Sequence, residues 1–536
     1  MPSCRRALGL LVVSTLMMLA MRSPSAQTPP YDLLLKNARI VDGTGGPSSS
    51  GDVAVRGDVI ARIAPRIDSA AARTVDVAGH VLAPGFIDIH THARRGIFDV
   101  PTADNYVRQG VTTLIEGPDG SSPIPLGAFL DRVAARGITP NFGSMVGQGS
   151  VREAVIGLVD RKPTPAELDQ MRRLVRQGME DGAFGLSSGL FYVPGTFTPT
   201  AEVIELAKVA GAMGGIYISH MRDEASQVVA SVRETIEIGE RGHLPTQVTH
   251  HKIIGKANWG KSVETLRMID DARARGVDAT IDQYPYTASS TGIGAALLPA
   301  WAQEGGRDSL MKRMQTPSAR SEIRAETIRL LKEERGGGDP HNVQLARCSW
   351  DSSLDGRRLD EVTKGRGLTP TIENAADTAL WIIEQGGCSG IFHAISEDDL
   401  QRILKYPQTM IASDGEVPIF GQAHPHPRSY GTNARVLGRY VRELKVMTLE
   451  NAIYKMSAFP AKRLGLADRG ILREGNKADI VVFDPATVRD TATFEQPHQY
   501  AEGVSIVVVN GQVVFENGKM TSARPGRVLY GPARKR

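Results

Sequence analysis

Five residues able to hold a metal ion stand at the ends of short apolar runs. His90 and His92 close Pro84-Gly85-Phe86-Ile87-Asp88-Ile89-His90-Thr91-His92. Side chains two apart in a strand point to the same side, so these two imidazoles can grip one ion. His220 closes Ile216-Tyr217-Ile218-Ser219-His220, His250 closes Gln247-Val248-Thr249-His250, and Asp414 closes Met410-Ile411-Ala412-Ser413-Asp414. Nitrogen and carboxylate ligands suit zinc and leave positions open to water. A single histidine is more often structural; with twelve in the whole chain, it is the convergence at run ends that points to a metal centre. The chemistry such a centre supports is hydrolysis. A metal lowers the pKa of water and polarises a carbonyl, while Asp414, as catalytic residue, accepts the water's proton and returns it to the departing amine.

Positioning five such groups on one face calls for parallel strands of a common barrel. Eight apolar runs alternate with helical stretches: Phe86–His92, Val111–Glu116, Asn141–Val146, Phe184–Leu190, Ile216–His220, Gln247–Lys252, Ala279–Tyr286 and Thr409–Asp414. The helical stretches are amphipathic; Val203, Leu206, Ala207 and Ala210 share one stripe. This rhythm predicts a (β/α)8 TIM-like barrel over 83–465, with the ligands at the C-terminal ends of its strands. The interval from Thr287 to Gln408 is too long for one crossover, which predicts an inserted lid at about 288–408. β-rich stretches at 31–82 and 466–530 predict a small β-sandwich domain built from both chain ends.

Composition is that of an ordinary globular chain, with 41% hydrophobic and 23% charged residues. Arg5 and Arg6, an apolar run from Ala7 to Met21 and the small residues around Ser25 predict a signal peptide at 1–26. The run is too short for a comfortable membrane span. An exported protein is expected, periplasmic or secreted, with no stable membrane insertion once the signal is gone. Arg5, Arg6 and Arg22 take most of the formal charge of +4 with them, leaving no electrostatic reason to bind nucleic acid. Cys348 and Cys388 either form one bridge or remain small buried hydrophobes. Nothing in the sequence fixes the oligomeric state.

Together, the Pro84–His92 opening, the histidines of the fifth and sixth strands and the aspartate of the eighth resemble the amidohydrolase superfamily. Finer motifs resemble its D-aminoacylase (N-acyl-D-amino-acid deacylase) branch: Gly182-Ala183-Phe184-Gly185-Leu186-Ser187-Ser188-Gly189, Ser219-His220-Met221-Arg222-Asp223-Glu224, Asp282-Gln283-Tyr284-Pro285-Tyr286 and His426-Pro427-Arg428-Ser429-Tyr430-Gly431-Thr432. The resemblance implies one or two zinc ions and a small substrate, an N-acyl-D-amino acid or a D-dipeptide. Alternatives are a cyclic amidase, an L-specific peptidase, or an inactive binding protein, the last of which would have lost its ligands. No lysine lies in Phe184–Leu190, which weighs against the dihydroorotase and hydantoinase branches. Where D-aminoacylases carry a bridging cysteine just after the second strand, this chain has Ile115-Glu116-Gly117-Pro118-Asp119-Gly120. Asp119 falls at the cysteine's place and Glu116 ends the strand; either carboxylate can bridge two cations, with Asp119 the favoured one. The resemblance further implies that Tyr192, Lys252, Tyr284 and Arg428 hold the substrate's free carboxylate. Arg222, Asp223 and Glu224 would support His220 from behind.

Overall fold

The computed structural model describes residues 29–534, so the signal-peptide reading at 1–26 lies outside the described residues. Eight parallel strands form the centre: β1 (Phe86–Asp88), β2 (Val111–Glu116), β3 (Asn141–Ser144), β4 (Gly185–Gly189), β5 (Ile216–His220), β6 (Thr246–Val248), β7 (Ala279–Gln283) and β8 (Thr409–Ile411). Pairing runs from β1 through β3. Just past β3, Val146 pairs with Leu186 of β4. From there the ladder continues in order to β8. The circle closes where Gly415 and Glu416 pair with Thr91 and His92. Strands such as β5 and β7 are buried along their whole length, because a barrel wall has side chains inside and helices outside. The helices start on local signals. The one at Pro165–Asp181 opens with Thr164 accepting the N–H of Glu167 while the Glu167 side chain returns to Thr164.

Several strands end earlier than the sequence predicts, the first at Asp88 and the seventh at Gln283, and two others end just before ligands. The sixth ends at Val248 and the eighth at Ile411. His250 and Asp414 have φ of 34° and 52°, a left-handed conformation that cannot continue a strand. Both residues therefore sit on the rim, where the chain turns over the mouth of the barrel.

Both chain ends enter one nine-stranded sheet outside the barrel. Its N-terminal and C-terminal parts meet where Val81–Pro84 pairs antiparallel with Ile480–Phe483. Alternation along Ile480–Phe483 explains how the β-sandwich attaches to the barrel: Ile480 and Val482 join Leu35, Val53 and Leu82 in the sandwich core. Val481 and Phe483 point the other way, into the barrel's main core with Phe86 and Val111. Val59 also bridges Lys477, bringing the far edge of the sheet back against its middle.

Between β7 and β8 lies the insertion. It has its own three-stranded antiparallel sheet, Ser289–Gly292, Ser389–Phe392 and Val343–Arg347. Ile293, Leu297, Ile323, Leu331, Leu345 and Leu380 belong to a separate core beneath it. A disulfide joins Cys348 to Cys388, so of the two possibilities open in the sequence the bridge is the one adopted. The helix Glu397–Lys405 packs against β8 and the helix Ser262–Ala274, and so belongs to the barrel rather than the insertion. Among the described residues, no helix is long and apolar enough to cross a membrane.

Candidate metal centre

At the C-terminal rim of the barrel two groups of ligands share one residue. His90, His92, Asp119 and Asp414 form the first and Asp119, His220 and His250 the second; within each, the ligand atoms lie within 4.8 Å of one another. Asp119 Oδ1 is 3.5 Å from His90 Nε2 and 3.4 Å from His250 Nε2. Its Oδ2 is 3.4 Å from His92 Nε2 and 3.6 Å from His220 Nδ1. Asp414 Oδ1 is 3.0 Å from His92 Nε2 and 3.5 Å from His90 Nε2. His90 and His92 come from the end of β1, where Gly415–Glu416 pairs beside them. Asp119 sits past β2 in a turn with φ 55°, a conformation that aspartate tolerates. In that turn Gly120 donates to Ser187 Oγ, and Ser187 donates back to the carbonyl of Gly117.

The electrostatics are those of a cation site. Burial works against the charge of Asp119, yet His90, His220 and His250 around it hold its carboxyl well below the usual range. Burial also opposes ionisation of Asp414, but Arg428, His90 and His92 hold that carboxyl far down as well. Among the described residues, His90 Nε2 and Asp119 Oδ1 are buried without hydrogen-bond partners. Buried polar atoms ordinarily have partners, so these two fit a metal ion as the missing one. The donor set of imidazole and carboxylate fits zinc.

Supports lie behind the ligands. Glu224 is fully buried; its Oε1 is 3.2 Å from His250 Nδ1 and its Oε2 3.8 Å from His220 Nε2. Lys252 Nζ and, from the insertion, Arg335 Nη2 meet the same carboxylate at 2.5 and 3.5 Å. Asp282, at the end of β7, accepts the His250 N–H at 2.7 Å and lies 3.9 Å from His90 Nδ1. Asp88 accepts the backbone N–H groups of His90 and Ser413, tying β1 to β8 just below the ligands. The role of Glu224 is legible from its place after His220. Those of Asp282 and Asp88 were missed, although a strand-end aspartate beside the histidines is a signal for them. Arg335 gives no local signal at all.

The remaining candidates divide. Glu116 takes the Arg94 N–H at 2.8 Å and stands outside both ligand groups; of the two carboxylates considered, it is Asp119 that is shared. Tyr192 and Arg428 line the cavity that opens on His92, Asp119 and Asp414. Arg428 Nη1 pairs with Asp414 Oδ2 at 2.8 Å. Lys252 is turned away: its Nζ donates to Glu224 Oε1 and to the His250 carbonyl and lies 2.7 Å from His250 Nδ1. In this structure Lys252 lies off the cavity wall and supports His250 from behind. Tyr284 is buried beneath Arg428, whose guanidinium lies 4.8 Å from its ring centre; its hydroxyl has no hydrogen-bond partner among the described residues, and it too lies off the cavity wall. Arg222 points elsewhere, pairing with Glu234.

The cavity has a volume of about 880 Å³ and runs from the metal centre out under the insertion. Ser290, Thr291 and Gly292 of the insertion form part of its wall, as do Arg347, Ser349 and Ser389 flanking the disulfide.

The family model described as "Amidohydrolase family" matches residues 73–515. A D-aminoacylase of Alcaligenes xylosoxydans xylosoxydans is 37% identical over 94% of this chain and 98% of its own. An N-acyl-D-glutamate deacylase of the same organism is 36% identical over 93% and 96%. Among solved structures, an N-acyl-D-glutamate deacylase from Bordetella bronchiseptica, complexed with zinc and a phosphonate inhibitor, superimposes with a TM-score of 0.80 at 33% identity. That match covers 94% of this chain and 100% of the other.

Proposed function

Because this chain belongs to the amidohydrolase family, we propose that it hydrolyses the amide bond of an N-acyl-D-amino acid, yielding a carboxylate and a free D-amino acid. The observation that carries the proposal is the pair of ligand groups sharing Asp119 and opening on one cavity. Zinc fits both groups; when bound, it supplies a Lewis acid for the scissile carbonyl and a lowered pKa for water. His90, His92, Asp119 and Asp414 would hold one ion, and Asp119, His220 and His250 a second.

Asp414 is the catalytic residue. Its low-lying carboxyl is ionised at neutral pH, so it can accept the proton of the attacking water and pass it to the leaving amine. Arg428 fixes one oxygen of Asp414 and leaves further donors of its fork for the substrate's α-carboxylate. Tyr192 stands on the same wall, its hydroxyl accepting from Thr291 of the insertion at 3.1 Å. Lys252 and Tyr284 act from behind, the first on His250 and the second on Arg428.

The N-terminal Arg5-Arg6 and the apolar run that follows support export to the periplasm or beyond, and the Cys348–Cys388 bridge suits an oxidising compartment. The test of function is elemental analysis of the purified protein together with amine release from matched N-acetyl-D- and N-acetyl-L-amino acids. Zinc with D-selective release is expected. Zinc with L-selective release, or with none, overturns the substrate assignment.

A further inference from the structure

Five arginines face the cavity, and four of them are occupied. Arg94 donates to Ser121 Oγ at 3.0 Å, and Arg95 pairs with Glu416 at 2.7 Å. Arg307 donates to the carbonyls of Ile383 and Glu384, and Arg428 pairs with Asp414. Arg347 alone has a guanidinium without a hydrogen bond or ion pair among the described residues.

Its base is held firmly. Arg347 ends the strand Val343–Arg347, pairs with Ser389 across the insertion's sheet, and is followed at once by the disulfide of Cys348. Ser349 and Ser389 flank it on the same wall, adding hydroxyl donors and no carboxylate. Asp355, close along the chain, accepts the Cys348 N–H at 2.7 Å and forms no ion pair with Arg347. Glu416 also lines the cavity, paired with Arg95. The cavity is at the upper end of those that enclose small ligands, with room beyond the amide and α-carboxylate.

We propose that Arg347 recognises a second carboxylate on the substrate, carried either by the amino-acid side chain or by the far end of the acyl group. The inference rests on the deacylase reading above. A planar fork with free donors on a rigid wall is suited to a carboxylate, and the α-carboxylate is already met by Arg428.

The test is kcat/KM of the zinc-loaded protein and its Arg347→Ala and Arg347→Lys variants on two matched pairs. N-acetyl-D-glutamate against N-acetyl-D-glutamine probes the side chain; N-succinyl-D-methionine against N-succinamoyl-D-methionine probes the acyl end. Arg347→Ala is expected to lower kcat/KM about ten-fold on the dicarboxylate of one pair, through KM, and less than about two-fold on its neutral partner. Arg347→Lys should restore part of the loss. The affected pair names the source of the carboxylate. An equal fall on charged and neutral partners would mean general attraction of anions and overturn the proposal, as would no change on either pair. If the unaltered protein turns over none of the four substrates, the deacylase reading itself fails and this inference with it.

Discussion

Replacing Asp119 with Ala separates the shared carboxylate from every other feature of the site. In the structure its two oxygens lie 3.4 to 3.6 Å from His90, His92, His220 and His250. Without it the first group keeps His90, His92 and Asp414, while the second is left with two histidines. Catalytic zinc takes three protein ligands, so any second equivalent should be lost outright. The first ion should weaken by more than the roughly 10- to 100-fold seen when only a supporting partner of a ligand is removed. The backbone contributes little to this outcome. Alanine at a φ of 55° costs about 1 to 2 kcal/mol, too little to unfold a large domain. Elemental analysis after gel filtration, with competition against a chromophoric chelator, measures both quantities. Asp119→Cys should keep the full zinc content and bind it more tightly, because thiolate is the softer ligand. Unchanged zinc content and affinity in Asp119→Ala would refute the shared-ligand reasoning, whatever the activity.

Other expectations follow from the same geometry. Asp414→Asn should reduce kcat about 10²- to 10⁴-fold while the protein retains zinc through the remaining ligands; undiminished turnover would remove Asp414 from proton transfer. Glu224→Gln should weaken zinc at the His220–His250 group about 10- to 100-fold, read by the same chelator titration, and an unchanged titration would make Glu224 a packing residue only. Burial, with Arg358 nearby, lowers His393 to about 4, so in the native state it stays neutral where the unfolded chain already binds a proton. Its share of stability is present above about pH 6.5 and is lost as pH falls toward 4, up to about 3 kcal/mol before solvent screening. His393→Gln should flatten chemical denaturation midpoints across that window, and identical slopes would refute the assignment. The double variant Cys348→Ser/Cys388→Ser frees a loop of 40 residues in the unfolded state, worth about 4 kcal/mol in the chain-entropy estimate; an unshifted Tm would show that the insertion's core holds that corner unaided.

Much of this molecule is legible in its sequence because the barrel's needs are local. Eight apolar runs separated by amphipathic stretches suffice to expect the strands, and the i, i+2 spacing of His90 and His92 suffices to pair their side chains. What is not legible depends on where the chain turns. His250 and Asp414 read as strand ends, but they reach the metal centre from left-handed positions past those ends, a choice made by packing over the rim. Lys252 looks like a free cation two residues beyond a ligand. Only the fold reveals that Glu224 and the His250 carbonyl take its donors. Arg335 reaches the back of the site from within an inserted domain, at a distance along the chain that no periodicity spans.

The antiparallel pairing of Val81–Pro84 with Ile480–Phe483 also sets an order of assembly. The N-terminal strands are synthesised first, yet their partner arrives only after the whole barrel and its insertion have been made. Until then Val81–Pro84 presents an unsatisfied strand edge, and Val81 and Ala83, destined for the barrel core, remain uncovered. Such edges invite pairing with other chains, and contacts this distant along the chain form slowly. A nascent chain stalled or cleaved before Ile480 should therefore aggregate rather than persist as a free barrel, which makes the closing strands a checkpoint that only full-length molecules pass.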